Sequence, residues 1–413
     1  MKWGFARDIG IFDAWDAIGV EKSVNKMKEE NRKVPSWVEE MLASGRKSFY
    51  EIIDGKLTYY CPVKKKVLTH KDNDKTLNLN LYKNSKTMLK RDWSASIHDL
   101  GDGVLNVEFH SIFVPAFNPI DRSMVGIVKD ALDLLDSGKY KGLVIGHQGK
   151  NWSAGANVND FKMAIDSGNL QVMDAGVKEM QDVTQRIRHS KYPVVSCPFN
   201  LALGGGFEFY ACSTHTVAAG ELYAGLVEAI QGLIPGAGGH LRVILNLLEN
   251  NDAKNFNMNI GRQAIGLVNP LTVSRSATDA LKKGWLRKSD TICMNSEHLL
   301  ATAKHKVLEL SEAGYKPPKY REDLSLPGMT LRTMASVGLK AMKAQGKISD
   351  HDELVASKTA FVLSGGDKGG LMSKVDEQYV LDIEREAFMS LAGEEKTQQR
   401  IAHFLKTGKP LRN

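Results

Sequence analysis

PVVSCPFNLALGGGFEFYAC, residues 193–212, joins an apolar strand-like run to three consecutive glycines, then to a mostly apolar stretch holding one carboxylate, Glu208. Glycine allows a backbone to come close to something else. A carboxylate among apolar neighbours is costly unless it is paired, neutralised or used. The glycines lead into a helix start, where N–H groups lack intrahelical partners and the helix dipole favours negative charge.

Outward from this segment, the texture stays that of strands alternating with helices. GVLNVEFHS (103–111) and GLVIGHQG (142–149) read as buried strands, the second running into a loop. MVGIVKDALDLLDSG (124–138) and residues 169–189 have the periodicity of amphipathic helices. Such alternation makes an α/β domain, with loops gathered at the strand ends where sites tend to form. After about residue 296 the pattern is helical to 411, broken by KPPKYRED (316–323) and SGGDKGG (364–370). Residues 1–60 read as a small helical unit, with a capping-box pattern at Ser36 and Glu39 behind Pro35. Residues 61–95 read as hairpin and linker, 96–300 as the α/β core and 301–413 as its helical continuation.

The bulk properties narrow the function classes. A chain of 413 residues, 42 % hydrophobic and 25 % charged, is a soluble globular protein of two or three domains. No apolar run approaches the roughly 20 residues of a membrane span, and MKWGFARDIG lacks a signal-peptide core. Cys61, Cys197, Cys212 and Cys293 have neither disulfide-framework nor metal-site spacing, so a cytoplasmic protein with reduced thiols and no metal is expected. The net charge of +7 is scattered, without a basic stripe interleaved with aromatics. That argues against nucleic acid and for a phosphate-bearing small ligand.

The glycines do not form a nucleotide loop. No Gly-Lys is followed by Ser or Thr, and the pairs Gly204/Gly206 and Gly236/Gly238 are followed by Phe209 and Leu241 where a dinucleotide fingerprint needs glycine. Neither GxSxG nor HExxH occurs. What remains is a set of three pieces in one α/β domain. WSAGAN (152–157) is a small-residue loop after a strand, the glycine run is the second, and VEAIQGLIPGAGG (227–239) brings another carboxylate, Glu228, and another glycine turn. Together they supply two sets of N–H donors and two sparsely solvated carboxylates. A thioester carbonyl gathers charge as its enoyl β-carbon is attacked or its α-carbon deprotonated, and a fixed donor there is worth about 3 kcal/mol. Poorly solvated carboxyls can exchange protons near neutral pH.

WSAGANVNDF, NLALGGGFEFYAC and LVEAIQGLIPGAGGHLRV resemble the three signature segments of the crotonase (enoyl-CoA hydratase/isomerase) superfamily, with both hydratase carboxylates present, twenty residues apart. The resemblance implies a ββα spiral core with C-terminal helices that cover the site or shape oligomer contacts. It implies Ala156 and Gly205 as oxyanion donors, and Glu208 and Glu228 as the groups that hold and activate water. Ala154, Asn157, Val158, Asn159, Gly204, Pro235 and Gly236 are then expected around an acyl-CoA substrate, with no separate cofactor. Asn200, Asn157, Val227 and Asn159 stand where many members carry glycine, aspartate, proline and lysine. His147 is read as a structural residue.

The flanks also carry a resemblance. KWGFARDIGIFDAWDAIGV (2–20) is similar to the end of a 3-hydroxyacyl-CoA dehydrogenase C-terminal domain. ASIHDLGDGVLNVEFHS (95–111) and residues 384–413 are similar to the crotonase half of fused fatty-acid β-oxidation proteins. These imply enoyl-CoA hydration without dehydrogenase activity, since the dinucleotide fingerprint is absent. They also imply a trimer-type homo-oligomer, or a separate dehydrogenase or thiolase as partner. The rival readings are Δ3-Δ2 enoyl-CoA isomerisation and a non-catalytic assembly subunit. The latter would dock through Trp3, Phe5, Phe12 and Trp15, unless these pack on their own chain.

Overall fold

The computed structural model describes residues 4, 7, 9–71, 73–269, 271–370 and 372–413, in two compact units. The first takes in the chain to residue 74 and residues 78–86. Its helices α1 (Ile11–Ile18), α2 (Val20–Glu29) and α3 (Ser36–Ala43) accompany an antiparallel sheet of β1 (Tyr50–Ile53), β2 (Lys56–Cys61) and β3 (Lys66–Thr69). Val20, Val24, Val38, Met41, Phe49 and Tyr60 form its core, and the rings of Phe12 and Trp15 lie 4.9 and 5.2 Å from that of Phe49. Asp16 accepts from the N–H groups of Phe49 (2.7 Å) and Tyr50 (3.0 Å), tying α1 to β1.

Two expectations change here. A boundary at residue 60 would cut through β2; the unit is a helix-and-sheet body because Phe49 and, in β2, Tyr60 share one core with Val20, Val24, Val38 and Met41 of the helices. Ser36 is the first helical residue and makes no capping bond, the extended Pro35 occupying the N-cap position instead. Phe12 and Trp15 therefore pack within their own unit, while Trp3 and Phe5 lie outside the described residues.

The second unit, residues 75–77 and 87–413, is built on a seven-stranded sheet. Its strands are β4 (Met88–Arg91), β5 (Ala95–Asp99), β6 (Val104–Phe109), β7 (Gly142–Ile145), β8 (Val194–Ser196), β10 (His215–Ala219) and β12 (Thr291–Cys293), adjacent in that order. The first three are antiparallel and the rest parallel. Every residue of β6 and β7 is buried, the near-continuous apolar pattern of strands covered on both faces. Strands β9 (Asn200–Leu203) and β11 (Leu222–Gly225) form a separate parallel pair. This is the mixed α/β architecture expected from the sequence.

Around the sheet lie α4 (Arg122–Asp136), α5 (Val158–Asp166) and α6 (Leu170–Arg188), followed by α7 (Gly205–Ala211), α8 (Gly239–Asn250), α9 (Met258–Val268), α10 (Ala277–Lys283) and α11 (Leu299–Glu312). The helical tail is α12 (Met329–Ala344), α13 (Asp350–Leu363), α14 (Glu377–Ala392) and α15 (Glu395–Thr407). It closes back on the core: Gln181 of α6 donates to the Leu381 carbonyl (2.9 Å), and Arg385 pairs with Asp174 at 2.8 Å. Among the described residues no helix is long and apolar enough to cross a membrane.

Candidate active site

The loop after β7 does not run free over the surface. Ser153 pairs with β9, donating to the Leu201 carbonyl and accepting from Leu203 N–H, each at 3.0 Å. Two residues on, the Gly155 carbonyl and Asn157 N–H both bond Ile120, at 2.8 and 2.9 Å. This parallel pairing turns the Ala156 N–H the other way. It meets the start of α7, where a Cβ on Gly205 would lie 3.3 Å from the Ala156 nitrogen. Among the described residues neither Ala156 N–H nor Gly205 N–H has an acceptor. Gly204 turns the chain at φ 51°, ψ −123°, in the region where a side chain is strained, and a Cβ there would sit 2.8 Å from Glu228 Oε1. Gly206 also has to be glycine, because a Cβ would lie 2.7 Å from the Ser153 carbonyl oxygen.

Glu208 projects from α7 and is 2 % exposed. Its Oε1 accepts from Ala237 N–H (2.8 Å) and Gly239 N–H (2.7 Å), and its Oε2 has no protein partner among the described residues. Glu228 opens a short 3-10 turn, Glu228–Gln231, and its Oε2 is shut off from solvent without a partner. Burial pushes the Glu208 carboxyl well above the usual range, helped by the charges of Glu228 and Glu384 and opposed by its two amides. Burial also raises Glu228, to about 7, with Glu384 adding to it and the neighbouring amides of Glu228 and Val227 opposing. Each carboxyl thus keeps an oxygen for a reactant, and burial shifts both towards holding a proton.

Glu384 of α14 is the residue that sequence reading missed. Fully buried, it accepts from Gly238 N–H (2.7 Å), His240 N–H (2.8 Å) and His240 Nδ1 (2.8 Å). Four successive amides, 237 to 240, are therefore shared alternately between two carboxylates, Glu208 and Glu384. The signal was present: Glu384 falls on the stripe of α14 that buries Val380, Leu381, Ala387, Phe388 and Leu391. A carboxylate on such a stripe requires a partner, but that partner lies 144 residues away in the chain.

Ala154, Ala156, Val158, Gly204, Gly205 and Gly236 line one pocket with Glu208 and Glu228, together with Phe161 and Phe388 from α5 and α14. Asn157 and Asn159 are set differently. Asn157 caps α5, accepting from Asn159 N–H (3.2 Å) and donating to Asp160 (3.1 Å), and Asn159 is exposed beside it. Pro235 lines a second cavity, on which Glu228 and Leu233 also border. Asn200 adopts φ 47°, a left-handed conformation that asparagine tolerates in place of glycine, and its amide donates to the Lys150 carbonyl at 2.7 Å. His147 is buried, stacked on Trp152 and bonded to the Trp152 carbonyl at 3.0 Å, as befits a structural residue. No cluster of three or more His, Cys, Asp or Glu side chains suited to a metal exists among the described residues.

Comparison with known proteins bears on this arrangement. Residues 100–264 match the family described as enoyl-CoA hydratase/isomerase. Over all 413 residues the chain is 38 % identical to a probable 3-hydroxyacyl-CoA dehydrogenase of Bacillus subtilis (strain 168), covering 51 % of that protein. Over 305 residues, 73 % of the chain, it is 27 % identical to a putative fatty acid oxidation complex trifunctional enzyme of Rickettsia felis, covering 38 % of it. The chain thus spans about half the length of the first relative and less of the second. In fold it resembles the solved structure of an enoyl-CoA hydratase from Rhodobacter sphaeroides 2.4.1, with a TM-score of 0.54 and 17 % identity over 78 % of this chain and 92 % of that one.

Proposed function

We propose, from the match of residues 100–264 to the enoyl-CoA hydratase/isomerase family, that the chain hydrates trans-2-enoyl-CoA to 3-hydroxyacyl-CoA in fatty-acid oxidation. One observation carries the reading: two amides without acceptors, Ala156 and Gly205, stand in one pocket with two carboxyls that each keep an unpartnered oxygen.

The thioester oxygen accepts from Ala156 N–H and Gly205 N–H, which stabilise it as it takes up enolate charge; a preorganised donor of this kind contributes about 3 kcal/mol. The reacting water lies between Glu208 and Glu228. Its oxygen bonds to the β-carbon while its proton passes to the ionised glutamate, Glu208 in this assignment. Glu228, protonated, gives its proton to the α-carbon as the enolate collapses. Across the turnover one proton and one hydroxyl are added, and the pair exchanges its proton to reset. Burial raises both carboxyls, and the charge of Glu228 raises Glu208 further, which favours a proton held on the pair.

Double-bond isomerisation moves a proton between two carbons and needs one carboxyl; the second unpartnered oxygen favours addition of water. Purified protein mixed with crotonyl-CoA or longer 2-enoyl-CoAs is expected to remove the absorbance of the conjugated thioester. No change at any chain length would sink the reading. Glu208→Gln and Glu228→Gln each lower kcat by roughly 10²–10⁴-fold in a hydratase, whereas isomerisation is sensitive to only one of them.

A further inference from the structure

The pocket around the reacting groups has a volume of about 70 Å³, room for little beyond the reacting carbons of a thioester. On the far side of the segment 228–235 lies a cavity ten times larger, about 710 Å³, within the size range of small-molecule sites. Glu228 and Leu233 line both. The large cavity is walled mainly by apolar side chains, among them Ile230, Ile234, Ile265, Met334, Leu339 and Val355. A third cavity of about 470 Å³ is lined by Lys129, Lys178, Glu179, Asp182 and Arg186, chemistry unsuited to an alkyl group.

The opening has a cause in helix packing. Helices α9 and α12 approach closely at Gly261, where an added Cβ would lie 2.9 Å from Leu331. Farther along each helix, Gly266 and Gly338 border the cavity with open space over them, no atom standing within 4 Å of a Cβ built on either. The two helices therefore touch at one end, and two residues without side chains leave the other end open.

Resting on the hydratase reading, we propose that this cavity receives the distal alkyl chain of the acyl-CoA, making medium- and long-chain thioesters the preferred substrate class. The chain would pass Glu228 and Leu233 from the reacting carbons and lie between α9 and α12. Each buried methylene contributes about 0.8 kcal/mol, close to a fourfold gain in affinity.

Calorimetric binding of saturated, unreactive butyryl-, octanoyl- and lauroyl-CoA tests this without any turnover, using monomeric thioester below its micelle concentration. Affinity is expected to rise at least tenfold from the four-carbon to the twelve-carbon chain. Gly338→Phe, which fills the open space, should cut the lauroyl-to-butyryl ratio at least tenfold. Gly266→Phe does the same from the facing helix, should the first variant fold poorly. Affinity independent of chain length overturns the proposal, as does binding of no acyl-CoA. So does a pair of variants that keep the parent ratio, or that change only the oligomeric state in light scattering, which would mark the cavity as a subunit contact. Failure to turn over 2-enoyl-CoA of every chain length, with the chain-length dependence of binding intact, would count against the hydratase reading alone.

Discussion

Of two groups of main-chain N–H donors, Ala156 and Gly205 line the pocket while 237–240 reach it through Ala237 and the Glu208 they hold, and the protein treats the two in opposite ways. Residues 237–240 are saturated, each amide taken by a carboxylate of the same chain. Ala156 and Gly205 have no acceptor at all among the described residues. An unsatisfied buried amide costs on the order of 1–3 kcal/mol, and the fold could have closed this second set as it closed the first. The saturated set is a fixture: it holds Glu208 by one oxygen and locks the start of α8. The open set has the polarity that suits an oxygen gathering charge during a reaction.

The comparison can be broken at its saturated end. Glu384→Ala leaves the amides of Gly238 and His240 and the imidazole of His240 without their acceptor in a closed interior. A loss of about 4 kcal/mol is expected, read as a fall in the denaturation midpoint, with Glu384→Gln recovering part of it. Stability unchanged in the alanine variant would mean that the strip is not held from α14.

At the open end, Gly205→Pro removes one N–H and brings a Cβ into the 3.3 Å approach to the Ala156 nitrogen. Position 205 is the first residue of α7, where proline is tolerated in a helix. A drop in kcat of roughly 10²–10³-fold, about 3 kcal/mol, is expected while the circular dichroism spectrum stays that of the parent. Undiminished kcat would remove Gly205 from the oxyanion assignment.

The smallest effect sharpens the contrast through pH. Glu228 titrates near 7 in the folded protein and at about 4.3 when unfolded. Between these values the folded state binds more protons, so stability falls as pH rises through that window and stays low above it. Glu228→Gln is expected to flatten this slope, matching the parent near pH 4 and exceeding it at pH 8 by on the order of 2 kcal/mol. Urea midpoints of both proteins at the two pH values give the answer; a parent more stable at pH 8 than at pH 4 through this group would reverse the sign.

Much of the site could be read from local sequence because its parts announce themselves locally. A glycine run after an apolar strand, and a glutamate among aromatic residues, are rare enough together to mark Gly205 and Glu208. The chain arrangement that brings Ala156 against Gly205 was beyond reach, since it depends on Ser153 pairing with β9 across 50 residues of intervening chain. Glu384 was half legible for a related reason. Its place on the apolar stripe of α14 could be read, but the amides it bonds lie 144 residues away. The first unit was misjudged in extent because residues 61–95, short strand-like pieces among charges, read as hairpin and linker; the pairing of β2 with β3 makes the start of that stretch part of the body. The families of substitutions were better behaved: Asn200 keeps the left-handed turn, and Asn157 keeps a helix cap.

The pairing of Ser153 and Ile120 with their neighbours has one more consequence. The two open amides are held by main-chain register, so no side chain carries them and truncation of side chains one position at a time will pass over them. On the hydratase reading, a survey of side-chain truncations would find the two glutamates and miss the two amides. Only changes to the backbone itself, such as proline or an ester in place of the amide at positions 156 and 205, would test the part that the hydratase reading gives to these two amides.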